Sequence, residues 1–132
     1  MNVSKAGFMF AAAGLVPRLM NALESGALRQ FTPCRFGNEL EQARALATVH
    51  TELVLIHPFR EGNGRCARLL ATLMGLQAGF PPLDFGGVRG KVKQRYIAAV
   101  HAGLDRNYVP MTEIFRAVIS RTLRAQARFS SG

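Results

Sequence analysis

No apolar run in this sequence is long enough to cross a bilayer, which excludes a transmembrane helix. Cysteine is scarce as well. Cys34 and Cys66 have no close partner and no metal-type spacing, so neither a disulfide framework nor a zinc site is indicated, and both read as small buried hydrophobes. Repeats, low-complexity tracts and an interdomain linker are missing too, and nothing in the composition points to disorder. Tryptophan is absent, and the aromatic content is almost all phenylalanine. A chain of 132 residues with these properties reads as one domain with one core. The N-terminal stretch weakly mimics a signal peptide, but Gly7, Gly14 and Pro17 interrupt it. The cytoplasm is the default location, with delivery as a secreted effector left open.

Acidic residues are also in short supply: 8 Asp and Glu against 17 Lys and Arg leave a net charge of +9. Such an excess suits nucleic acid, an acidic partner or a merely solvated surface. The cations are scattered, and only residues 89–95 and 116–128 approach a patch. A solvated basic surface is therefore the favoured reading over nucleic-acid binding.

What the sequence does contain is helical. Pro17 can open a helix, and Leu19, Met20, Leu23, Ala27 and Leu28 follow at helical spacing. Residues 31–38 have turn chemistry, and Asn38 with Glu41 three residues on forms a capping signal for a helix over 39–56. That helix starts amphipathic, with Leu40, Ala43 and Ala47, and ends in the apolar run Leu53–Ile56 before Pro58 stops it. The next helix is predicted from Gly64 or Arg65 to about Ala78, with Leu69, Leu70, Leu73 and Leu76 as its core stripe and Gly79, Pro81 and Pro82 at its exit. A Gly-rich loop over 83–90 precedes a helix over 91–106, carrying Val92, Tyr96, Ile97, Val100 and Leu104. Pro110 opens the last helix, with Ile114, Phe115, Val118, Ile119 and Leu123 on one side. Only residues 2–11 suggest strand, around a Lys-Ala-Gly turn. The expectation is a mostly α fold: a compact helical bundle over 13–127, a short β element over 1–12 and a tail over 128–132.

Chemistry concentrates between residues 57 and 68. Gly62-Asn63-Gly64 leads into a helix, so backbone N–H groups can point into one concavity that a phosphate can approach. The helix N-terminus adds a favourable dipole, worth roughly 0.3–1 kcal/mol per charge. Asn-Gly is also an ordinary tight turn. Arg65 and Arg68 follow as an i, i+3 pair. Cations oppose the dipole at that end, a mismatch that a polyanion held between two guanidinium groups would explain. Two solvated arginines are the bland alternative. Glu61 beside a phosphate cradle suits a bridging Mg²⁺, or else a pairing with an arginine. His57, at the end of a buried helix, is placed to take a proton near neutral pH, its reference pKa being ~6.5. His50 lies two helical turns earlier, roughly 10 Å away and too far to share one ion, and His101 reads as structural. Phe59 reads as an apolar anchor for the loop.

The order of these residues resembles the signature of the Fic (Fic/Doc) family, His-x-Phe-x-Asp/Glu-Gly-Asn-Gly-Arg-x-x-Arg, matched at every specified position from His57 to Arg68. The apolar helix, the Gly-Phe-Pro-Pro exit at 79–82 and the stretch Tyr96–Tyr108 are similar to that family too, so the resemblance covers most of the chain from about residue 4. It implies a Fic-type helical bundle and adenylyl transfer: AMP moved from ATP to a Tyr, Thr or Ser hydroxyl of a target protein. By the resemblance, His57 is the base, Glu61 holds Mg²⁺, Gly62, Asn63 and Gly64 form the anion hole, and Arg65 and Arg68 hold the β- and γ-phosphates. Phe8, Met9 and Phe10 look like the β-hairpin flap that aligns the target by strand addition.

Two departures stand out. The family's helix before the flap has no counterpart, as in a minimal or shortened version. The family's inhibitory pattern, Ser/Thr-x-x-x-Glu-Gly/Asn, finds its nearest match at Thr48 to Glu52, but Leu53 follows, inside the core helix. An uninhibited enzyme is implied, or a separate antitoxin-like protein supplying the glutamate. Gly64 argues against the family's kinase branch, which carries Lys there. Transfer of another phosphate-linked group, removal of AMP, a non-catalytic toxin-like binding module and an oligomer all stay open.

Overall fold

The computed structural model describes residues 4–5, 8–9, 16–35, 37–56 and 63–130. Its centre is set by one capping residue and one apolar run. Asn38 accepts a hydrogen bond from the Glu41 amide at 2.8 Å, satisfying a donor that a helix start leaves orphaned, and α3 runs from there as Glu39–Ile56. From Ala43 onward almost every turn of α3 is buried, and the helix packs most extensively on α6 (Val109–Ser130), then on α4 (Asn63–Gln77) and α1 (Val16–Leu23). α1 continues through a π-helical turn, Glu24–Leu28, into the short α2 (Arg29–Phe31). α5 (Lys91–Ala102) leads into a 3₁₀ turn at Gly103–Asp105 and lies against α6. No helix among the described residues is long and apolar enough to span a membrane.

The fold is mostly helical, as expected, and α3 has its expected bounds. At the N-terminus, Ser4–Lys5 and Phe8–Met9 pair antiparallel, with Ser4 opposite Met9 and Lys5 opposite Phe8. Two residues per strand is well below the usual strand length, and such a ladder does not establish a β-hairpin flap. Phe10 lies outside the described residues.

Three apolar expectations are corrected. The leucines of α4 do not form its core stripe: Leu69, Leu73 and Leu76 are exposed, at 59%, 49% and 47%, and only Leu70 is partly buried against the core. The buried face carries Ala67, Ala71, Met74 and Gly75 instead. Both stripes have helical period, so patterning alone cannot choose between them. The inward face of α4 is mostly small, and at Ala67 it packs with Leu53 and Ile56 from the end of α3. Leu40 is 54% exposed, because burial of α3 begins only at Ala43. Leu104 is 59% exposed, because α5 ends at Ala102 and the 3₁₀ turn rotates it outward.

Two glycines are needed where they stand. Gly79, at φ 94, ends α4 with a paired closure: the Phe80 amide donates to the Gly75 carbonyl at 2.9 Å and the Gly79 amide to Leu76 at 3.1 Å. Gly103 lets the 3₁₀ turn lie directly on α3, where a Cβ would collide with Thr51 Cγ2.

A second, smaller cluster matters for the site. Leu23, Leu53, Ile56 and Ala67 are buried together. Ile56 is the last residue of α3 and Ala67 lies just inside α4, so one apolar contact ties together the two helix ends that bracket residues 57–62.

Candidate functional site

Half of the expected motif can be placed. His57, Phe59, Glu61 and Gly62 lie outside the described residues. Asn63 opens α4 and is buried, at 6% exposure, whereas Gly64, Arg65 and Cys66 are exposed beside it. Helical side chains lean toward the N-terminus, and Arg68 follows that rule. Its Nη1 lies 3.2 Å from where a Cβ on Gly64 would sit. The guanidinium is thus folded back over the first turn of α4, where unsatisfied amides and the positive end of the dipole already gather. Among the described residues neither Arg65 nor Arg68 has a carboxylate within ion-pair distance. Among the described residues, cations without a paired carboxylate and helix N–H groups converge at this end, an arrangement suited to a polyanion.

Glu52, half of the rejected inhibitory pattern, is engaged elsewhere: it accepts a hydrogen bond from the Tyr108 hydroxyl. Burial first, and then that bond, push the Tyr108 pKa well above the ordinary phenol range. Thr48 bonds back to the Arg44 carbonyl at 2.8 Å. Both therefore serve α3 rather than reaching the motif. Among the described residues no cluster of three His, Cys, Asp or Glu could hold a metal ion.

The structure adds a pair that sequence reasoning passed over. His50 is 2% exposed, and its ring nitrogens lie 3.3 Å from the Ala67 carbonyl and 2.7 Å from the Tyr96 hydroxyl. Burial lowers its pKa to about 4; the Ala67 carbonyl opposes that shift, and the nearby Arg68 charge adds to it. The imidazole is neutral at pH 7, so it is neither a cation nor a competing base. The available signal was a histidine inside an apolar run, which must find partners for both nitrogens when buried. The sequence places Tyr96 on a helix stripe and in the Tyr96–Tyr108 stretch, and its partner sits 46 residues away.

His50, Tyr96, Arg68, Lys93 and Phe85 line a cavity of about 180 Å³ beside the motif helix. Two larger cavities open elsewhere. One of about 470 Å³ lies between the 83–90 loop, α5 and α6, and one of about 490 Å³ lies between α1, α3 and Tyr108. The second reaches Ile56, the residue before His57.

Comparison with known proteins agrees with this architecture. The chain is 46% identical over 84 residues to the protein adenylyltransferase Fic of Culex quinquefasciatus, a stretch covering 64% of this chain and 16% of that protein. It is 57% identical over 37 residues to the protein adenylyltransferase Fic of Nematostella vectensis, covering 28% of this chain and 9% of that one. The chain thus spans a small part of the curated relatives it matches. Among solved structures, the BepC protein of Bartonella tribocorum with bound AMPPNP superposes with a TM-score of 0.72 at 28% identity, covering 89% of this chain and 55% of that one. An N-terminal Fic domain from Bartonella quintana with bound ADP gives 0.73 at 28% identity, over 89% and 54%. A sequence model described as the Fic/DOC family matches residues 1–74, more than half of the chain. The chain belongs to the Fic/DOC family.

Proposed function

We propose that this chain is a protein adenylyltransferase domain, moving AMP from ATP to a Tyr, Thr or Ser hydroxyl of a target protein. The observation that carries the reading is the start of α4, where the Arg68 guanidinium folds over Gly64 with no carboxylate to neutralise it among the described residues. A nucleotide polyphosphate supplies the charge that this end of the helix lacks. The names of the relatives, with the bound AMPPNP and ADP of the structural neighbours, support the same substrate class.

In this reading His57 takes the proton of the target hydroxyl. The hydroxyl oxygen then attacks the α-phosphorus, the bond from that phosphorus to the bridging oxygen breaks, and pyrophosphate leaves. Gly62, Asn63 and Gly64 offer backbone donors to the phosphates, while Arg65 and Arg68 hold the β- and γ-phosphates. Glu61 would hold Mg²⁺ together with the substrate phosphates. One carboxylate suits this ion, and no protein-only metal cluster competes for it among the described residues. Bound there, Mg²⁺ would neutralise phosphate charge. Phe59 anchors the loop, and Phe8, Met9 and Phe10 align the target as a flap. The site of action is the cytoplasm, with delivery as a secreted effector left open, and either the enzyme is uninhibited or a separate antitoxin-like protein supplies an inhibitory glutamate.

ATP labelled at the α- or the γ-phosphate, incubated with target lysate, tests the reaction. Label should reach protein from the α position alone and disappear with His57→Ala. Label arriving from the γ position would show a kinase and overturn the assignment.

A further inference from the structure

Arg68 lies in the second turn of its helix, on a long side chain, with no ion-pair partner to hold it among the described residues. Its aim therefore depends on the rotation of α4 about its own axis. One contact that sets this rotation comes from His50. The Ala67 carbonyl can only accept, so the His50 nitrogen at 3.3 Å from it, Nδ1, must carry the proton. Nε2 of a neutral imidazole is then an acceptor, and the Tyr96 hydroxyl at 2.7 Å donates to it. The result is a directional chain from α5 through α3 to the residue immediately before Arg68. Edge-on contacts from Tyr96 and Phe115, with ring centroids 5.7 and 5.2 Å from the imidazole, leave the ring little freedom to turn. Lys93, whose Nζ lies 5.6 Å from the Tyr96 ring centroid, and Arg68 line the same small cavity.

We propose that His50 and Tyr96 are positioning residues that lock the Ala67–Arg68 turn of α4 and so aim the Arg68 guanidinium at the outer phosphates of the nucleotide. The inference rests on the reading that Arg68 holds those phosphates. A neutral His50 also adds no further positive charge to a cavity that Arg68 and Lys93 already line. Burial, which takes His50 to about 4 and Tyr96 up to about 12, keeps both groups uncharged across the working pH range.

Tyr96→Phe is the sharpest probe, because it removes one hydroxyl and keeps the ring. Binding of ATP and of AMP to the full chain is measured by calorimetry with no target present, with a thermal melt as the fold control. Removing one neutral hydrogen bond should weaken ATP binding about fivefold. AMP, which has no outer phosphates, should bind as before. In an Arg68→Ala background, Tyr96→Phe should weaken ATP binding no further, since the pair acts through that arginine. His50→Asn, which can keep a donor near the Ala67 carbonyl, should retain more ATP affinity than His50→Leu. Equal losses for ATP and AMP, or additive losses in the double variant, would reduce the pair to general support of the fold and overturn the proposal. If Arg68→Ala alone left ATP binding unchanged, the phosphate reading itself would fail and take this inference with it.

Discussion

α3 and α4 lie side by side and carry similar amounts of apolar sequence, yet they use it in opposite ways. α3 turns its large residues inward: Leu46 and Val49 are fully buried, and Leu53 and Ile56 nearly so. α4 turns Ala67, Ala71, Met74 and Gly75 inward and leaves Leu69, Leu73 and Leu76 in solvent. Hydrophobicity alone does not decide which face of α4 turns inward, and the inward face is mostly small, with Met74 as its large side chain. On this inward side His50 meets the Ala67 carbonyl, with Tyr96 behind it.

The comparison is sharpest under one substitution made in both helices. Leu46→Ala should cost about 2–5 kcal/mol, because it empties space in the packed centre of α3. Urea unfolding would measure this, and a loss below 1 kcal/mol would mean that α3 is not the packing centre.

Acid should expose the next largest effect. The folded His50 pKa lies at about 4, below the ordinary value of 6.5. A depressed histidine pKa means that the unfolded chain binds the extra proton, so the contribution is present above about pH 6.5 and is lost as pH falls toward 4. The whole window is worth about 3 kcal/mol. The stability of the parent chain should therefore fall more steeply than that of His50→Asn between pH 6.5 and 4, and parallel curves would deny the imidazole this role.

Ala71→Leu puts a large side chain on the inward face of α4 and should destabilise by about 1–3 kcal/mol through overpacking. An unchanged denaturation midpoint would show that size does not set the α3–α4 approach. At the small end, Leu73→Ala on the outward face should change stability by no more than about 0.5 kcal/mol, the same chemical change as in α3 with almost none of its cost.

Much of this molecule is legible in its residues taken alone. Asn38, Glu41 and Pro58 bracket α3, and Gly79 closes α4, because capping and chain-breaking act over a few residues and need no tertiary partner. The motif from His57 to Arg68 suggests phosphate chemistry for the same reason: its glycines, acid and arginines are neighbours in sequence. The inward face of α4 and the exposure of Leu40 and Leu104 were not legible in this way. They depend on what lies opposite, and periodicity says only that a stripe exists.

Sequence by itself determined the helices, the ends of α3 and the set of side chains at the start of α4, since each follows from backbone and side-chain preferences within a turn or two. Tertiary structure alone decided that alanines rather than leucines face α3, and that His50 meets a tyrosine 46 residues away just below Arg68. The physical reason is common to both. Close packing and the demand that buried polar groups find partners are settled between helices, and no single helix contains that information.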